Sequence, residues 1–235
     1  ALEAVRSGRA SEVLLADGSR QTPGLRDLLD AARETGVPVR TVPRQELDRL
    51  AAEHQGVVAR VETPHSLTEC DLSTWPFDED AIVVVLDGVT DPQNLGAAAR
   101  SAEAAGAAML VTRVRRSAPV SPAAVRASAG ALLHLPHARV ANVTRALTRL
   151  QEAGFFVVGL DGAAPSSVYD EPCPTGRIAL VLGGEGGGLS RLAREHCDAL
   201  VALPMAGRVA SLNASAALAA VLYSYVVPSR RPTPA

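Results

Sequence analysis

The chain has 235 residues, 47% of them hydrophobic, and a formal net charge of −2. That length fills one large domain or two modest ones. No apolar run approaches the roughly 20 residues that cross a bilayer, and the opening ALEAVRSGRASE is too polar for a secretory leader, so a soluble, cytoplasmic chain without membrane attachment is expected. The three cysteines, Cys70, Cys173 and Cys197, are odd in number and form no CxxC pair. They argue against a disulfide framework and against a zinc site, and no metal is expected.

Residues 1–62 alternate between strand-like and helix-like segments: EVLLA, PGLRDLLDAARETG, VPVRTV, PRQELDRLAAE and GVVARVE. Pro23 and Pro43 stand where helices start and Gly36 where one ends. The chain opens partway into a helical pattern, so this small α/β unit, residues 1–66, is expected to be N-terminally incomplete. From Thr63 to Asp80 the pattern breaks into polar and acidic residues with Pro64, Trp75 and Pro76, and residues 67–80 are expected to form an interdomain linker.

A second pattern begins at Ile82, where the apolar run IVVVLDG is followed by VTDPQ, the helical NLGAAARSAEAAG and the apolar AAMLVT. Continuous apolar strands alternating with helices signal a parallel sheet, whose active sites lie beyond the strands' carboxyl ends. Asn94 and Arg100 lie six apart, near enough to two turns for one helix face to carry both toward the loop. Further on come a helix from Pro122 leading into a short strand, a helix capped by Asn142, the strand FFVVGLDG, a loop over 163–177, and the strand IALVL with its glycine-rich loop. That loop fails the dinucleotide spacing: GxGxxG from Gly184 would need a glycine at 189, where Leu stands. Its glycines instead imply a close backbone approach around Glu185.

The last stretch, Leu203 to Ser224, reads as a strand end, a loop and an Ala-rich helix, with Ser211 and Asn213 both suited to cap it. All 23 basic residues are Arg. Eight of them, Arg100, Arg113, Arg115, Arg116, Arg126, Arg139, Arg145 and Arg149, fall between Pro92 and Leu150 with Glu103 as the only acid, a candidate surface for phosphate.

Three strand ends therefore carry unusual residues, and the stretches LDGVTDPQNLGAAARSAEAAGA, LVLGGEGGGLSRLAREHCD and LPMAGRVASLNASAA together resemble the three motifs of the SpoU (TrmH) family of RNA ribose 2′-O-methyltransferases, in the SPOUT superfamily. The likeness runs through almost all of residues 81–227. It implies a parallel sheet in an α/β domain, residues 81–235, whose C-terminal segment threads as a deep trefoil knot, preceded by an L30e-like RNA substrate-binding unit. S-adenosylmethionine is the implied cofactor, held by Leu182, Gly183, Gly184, Leu203, Met205 and Leu212. Asn94, Arg100, Glu185, Ser211 and Asn213 are the implied catalytic set, and a homodimer the implied assembly. The expected substrate is a guanosine of 23S rRNA. The same chemistry on tRNA or on an antibiotic-binding rRNA loop is the alternative, and a non-catalytic RNA-binding module the alternative of another class.

Overall fold

A computed structural model describes residues 1–51, 54–62, 64–184 and 187–230. The chain forms two compact units, Ala1–Pro64 and His65–Ala235. In the first, α1 (Leu2–Arg6), β1 (Ala10–Ala16), α2 (Pro23–Thr35), β2 (Val39–Val42), α3 (Arg44–Leu50) and β3 (Val57–Val61) build a three-stranded sheet of order β2-β1-β3. Strand β2 runs parallel to β1 and β3 antiparallel to it. Helix α2 is bounded by local chemistry. The Thr22 side chain accepts the Leu25 N–H, Pro23 occupies the first turn, and Gly36 ends the helix at φ 72°, where a side chain would be strained. Leu14, Ala16, Val42 and Leu47 form a small core. Between α3 and β3, the Gly56 N–H donates to His54 Nδ1 at 2.9 Å, so Nε2 carries the proton that faces Asp48 Oδ1 at 2.8 Å.

The second unit comprises α4 (Asp71–Thr74), β4 (Ile82–Asp87), α5 (Pro92–Ala104), β5 (Met109–Arg113), α6 (Pro122–Ala127), β6 (His137–Val140), α7 (Val143–Glu152), β7 (Phe156–Leu160), β8 (Ser166–Ser167), β9 (Ile178–Gly183), α8 (Arg191–Glu195), β10 (Ala199–Ala202) and α9 (Ala214–Val221). A π-helical turn over Leu222–Val226 then leads into α10 (Val227–Arg230). Seven strands pair in the order β6-β5-β4-β9-β7-β10-β8, every pair parallel. All six residues of β4 and of β9 are buried, as a central parallel strand covered on both faces requires. Ile82, Val84 and Leu86 pack with Leu95 and Ala99 of α5 and with Leu218 and Val221 of α9. Val83 and Val85 point the other way, toward Leu72 of α4, Leu147 and Leu150 of α7 and Ala193 of α8. The Ala-rich composition of α5 lets it lie close to α6: a Cβ on Gly96 would come within 2.5 Å of both Ala124 O and Ala127 Cβ.

The expected linker over 67–80 is instead part of this second unit. Leu67 bridges to the sheet beside β6, donating to His137 O and accepting from Arg139 N–H, each at 2.8 Å. Leu72 and Phe77 enter the core, and Phe77 meets Phe155 edge-on at 4.8 Å between ring centroids. The Arg177 guanidinium fastens the end of the stretch, donating to Phe77 O, Asp78 O and Ala153 O. Two apolar anchors and satisfied backbone groups order a polar stretch that has no periodicity of its own.

The arginine-rich middle is likewise only partly a surface. Arg113 pairs with Asp87, Arg139 donates to Val114 O, Arg145 binds Glu69, and Arg149 donates to Ser73 Oγ. Burial would raise the Glu69 carboxyl, but the Asn142 N–H and Arg145 outweigh it and hold it below its ordinary value. Arg100, Arg115, Arg116 and Arg126 are exposed, and among the described residues they have no ion pair or hydrogen-bonding side-chain partner.

His137 and Thr112 form a buried pair, Nε2 to Oγ1 at 2.8 Å. Burial, with a smaller contribution from Arg139, lowers the imidazole to about 4. The native histidine thus stays neutral while the unfolded chain takes up a proton near 6.5. Its contribution to stability is complete above pH 6.5 and is lost as pH falls through 6.5 toward 4, amounting to about 3 kcal/mol. Denaturant melts across that window should show stability falling with acid in the wild type and a flatter profile for His137→Gln.

Candidate active site

The carboxyl ends of β4, β9 and β10 carry the three loops singled out by sequence, and the sheet order sets β9 beside β4, with β7 between β9 and β10. After β4 the chain turns at Gly88, φ 95°, and enters α5 through Asp91, whose carboxylate accepts the Gln93 N–H at 3.1 Å, with Pro92 in the first turn. This places Asn94 in a buried position on α5. At the far end of the chain Asn213 caps α9: its Oδ1 accepts from Ser215 N–H at 2.9 Å, Ser215 Oγ at 2.7 Å and Ala216 N–H at 3.4 Å. The opposite end of the same amide donates to Asn94 Oδ1 at 2.8 Å across 119 residues of sequence. The two asparagines thus fasten the first loop's helix to the third's.

In the second loop, Gly183 stands opposite Asp87 in the strand register, and Gly184 and Gly188 form an antiparallel bridge. A Cβ on Gly183 would collide with the backbone of Gly188 and Leu189, and one on Gly184 with Gly88 O. The close approach that these glycines permit is therefore loop against loop. Ser190 caps α8 with its hydroxyl on the Ala193 N–H. Leu182 lies in the strand, in the core. Glu185 lies outside the described residues.

The third loop has a different character. From Leu203 to Leu212, among the described residues, no backbone group is hydrogen-bonded within the chain. Leu203 packs against the core, Met205 is half-buried, and Ser211 is exposed. Val209 is 71% and Leu212 45% exposed. Unpaired N–H and C=O groups beside apolar side chains are what an adenosine needs from a protein: main-chain partners for its base edge and a dry surface for its ring. Of the two caps expected on the last helix, Asn213 serves and Ser211 does not.

Arg100 is exposed on α5, whereas Asn94 is buried. Six residues at roughly 100° each set the two side chains about 120° apart around the helix, so they do not share the face that the sequence spacing implied. Two acids escaped the sequence reading. Asp87 and Asp161 stand at the ends of apolar strands in the repeated triplets Leu86-Asp87-Gly88 and Leu160-Asp161-Gly162, and both side chains are buried. The repeat was visible in the sequence, but the arginines that face the acids were not.

Residues 81–223 match the SpoU rRNA methylase family, and residues 2–67 match the RNA 2′-O ribose methyltransferase substrate-binding domain. The chain is 41% identical over 221 residues to the 23S rRNA (guanosine-2′-O-)-methyltransferase RlmB of Salmonella typhimurium, covering 93% of this chain and 90% of that one. The RlmB of Escherichia coli K12 matches with the same identity and coverage. The SpoU methyltransferase AviRb of Streptomyces viridochromogenes, solved in complex with AdoMet, superimposes with a TM-score of 0.78 at 33% identity, over 97% of this chain and 86% of that one. An AdoMet-bound rRNA methyltransferase of Sinorhizobium meliloti gives 0.78 at 25% identity, over 99% of this chain and 85% of that one. With three loops gathered at one edge of a parallel sheet and a family match over most of both units, the chain belongs to the SpoU rRNA methylase family.

Proposed function

We propose that this protein transfers a methyl group from S-adenosylmethionine to the ribose 2′-hydroxyl of a guanosine in 23S rRNA. The observation that carries this is the Asn94–Asn213 bond, which joins the first and third motif loops at the strand ends, in a chain 41% identical to curated RlmB enzymes over 93% of its length. Bound S-adenosylmethionine supplies an electrophilic methyl group on a sulfonium. The unpaired backbone of Leu203–Leu212, with Leu203, Met205 and Leu212, would hold it against the glycine loop at Gly183 and Gly184.

This chain's own task is to position the ribose and to stabilise the alkoxide as its proton leaves. Arg100, exposed and uncommitted among the described residues, clamps the target phosphate and the developing oxyanion. A guanidinium stays protonated, so it serves as a charge and not as a base. Glu185 or a substrate phosphate takes the proton. Ser211 reaches the ribose from the third loop, and Asn94 and Asn213 set the helices on which these groups ride. Residues 1–64 hold the RNA. The deep trefoil knot, a homodimer formed through the small-residue face of α9, and a cytoplasmic setting complete the picture. The half-exposed Tyr223 beyond α9 supports the dimer, and β9 lying between β4 and β7 supports the threading.

Transfer of labelled methyl to isolated 23S rRNA, tRNA and ribosomal particles tests the assignment. Label on a 23S guanosine is expected, and label on tRNA alone would reassign the substrate. RNA affinity should fall steeply with salt, with a log–log slope of roughly −3 if Arg100, Arg115, Arg116 and Arg126 each neutralise a phosphate. A flat response would remove these arginines from the RNA surface.

A further inference from the structure

Strand β9 is flanked in the sheet by β4 and β7, and at the end of each neighbour stands a buried aspartate that engages the α8 segment after β9. Asp87, its side chain 2% exposed, accepts the Ser190 N–H through Oδ2 and faces Arg113 Nη1 through Oδ1, both at 3.2 Å. It thereby grips the residue where the glycine loop ends and α8 begins. Asp161, its side chain 7% exposed, faces Arg194 in the last turn of α8. Arg194 Nη2 approaches Oδ2 to 2.6 Å as an ion pair, without the alignment of a hydrogen bond. Oδ1 of the same carboxylate holds the Ala163 N–H at 2.9 Å. A half-buried thiol lies within the field of both acids. Cys197 is pushed up to about 12, first by burial and then by Asp198, Asp161 and Asp87.

From this we infer that Asp87 and Asp161 are positioning residues that clamp helix α8 at its two ends, and so set the shape of the glycine loop that receives the methyl donor. Neither acid is among the residues that the sequence motifs single out for catalysis. A buried carboxylate is expensive to desolvate, and two of them at the strand ends on either side of one loop are retained at a cost that burying apolar side chains there would avoid. The loop's glycines contribute no side chains, and among the described residues it is held by the Gly184–Gly188 bridge, by close backbone approaches at Gly183 and Gly184, and by Leu189 buried in the core. The pairs fix where the loop ends, so the clamp is read first in donor binding, and because Glu185 belongs to the same loop, turnover follows to a smaller extent.

The inference rests on the proposal that the glycine loop holds S-adenosylmethionine, and the test separates the two. Calorimetry with S-adenosylmethionine and steady-state methyl transfer would be run on the full-length wild type, Asp87→Asn, Asp161→Asn and Arg194→Gln. The last variant removes a half-exposed partner and leaves both buried acids in place, so it reports on the clamp even if an aspartate variant fails to fold. The expected result is a Kd for S-adenosylmethionine raised about tenfold or more, about 1.4 kcal/mol. KM for RNA should stay within about twofold, and any fall in kcat at saturating donor should be smaller than the rise in Kd. Variants that melt earlier but bind donor as the wild type does would overturn the clamp alone. So would a fall in kcat with unchanged Kd. A wild type that binds no S-adenosylmethionine would overturn the clamp together with the function assigned to the loop.

Discussion

Arg100→Ala is expected to lower methyl transfer by about two to three orders of magnitude, the loss that accompanies removal of one preorganised group from a developing oxyanion. Affinity for S-adenosylmethionine should change by less than about twofold, because Arg100 rises from α5 while the residues proposed to hold the donor lie in the loops after β9 and β10. Stability should move by no more than about 0.5 kcal/mol, as at other exposed positions without partners. The side chain is exposed and, among the described residues, bonded to nothing that its loss would strand. Arg100→Lys separates charge from shape. A point charge restores part of the rate if phosphate attraction dominates, and little of it if the planar fork must reach phosphate and oxyanion together. Single-turnover rates with donor-binding isotherms on the same preparations decide the matter, and an unchanged rate in Arg100→Ala would take the residue out of the chemistry.

Gly183→Ala should be the most damaging single methyl group that can be added to the second unit. The new Cβ would fall inside van der Waals distance of Gly188 C, Gly188 O and Leu189 N, all backbone atoms that no rotamer change can clear. Relief requires the Gly184–Gly188 bridge to open or β9 to shift against β4, where Gly183 is registered with Asp87. Either movement disturbs the loop proposed to receive the donor. A loss of about 3 kcal/mol or more is expected, from overpacking against fixed backbone, with donor binding abolished. Gly187→Ala, where a Cβ meets nothing within 4 Å, is the matched control and should bind donor normally. Thermal melts and calorimetry on the two variants provide the comparison, and equal behaviour would mean that the loop rearranges freely.

Much of the fold was legible because local chemistry and burial agree. The apolar runs IVVVLD and IALVLG became fully buried central strands, and Asn142 and Asn213 each cap a helix with a side-chain oxygen. What escaped depends on partners distant in the chain. Nothing in the polar run 67–80 announces that Leu67 will bridge to the strand edge or that Arg177 will hold Phe77 O and Asp78 O from a hundred residues away. Arg145 and Arg149 looked like phosphate ligands because Glu69 and Ser73, which engage them, lie more than seventy residues earlier. At the site, the motifs single out both asparagines, but not the bond between them that ties one helix to the other. Ser211 and Asn213 looked equivalent as caps by residue type, and backbone geometry selected the second.

The tie between Asn94 and Asn213 also bears on when the enzyme comes into being. Its two halves are synthesised 119 residues apart, and the central strand β4 waits for β9, whose register with it joins Ile82 to Ile178. A growing polypeptide that has released β4, α5 and β5 can pair those neighbours at once, yet it has an open edge where β9 belongs, and Asn213, which donates to Asn94, is still unmade. Pairings at such separation are slow to form. Methyl-transfer competence should therefore arrive in a single late step, after residue 213 has cleared the ribosome, and no shorter nascent chain should carry a partial activity.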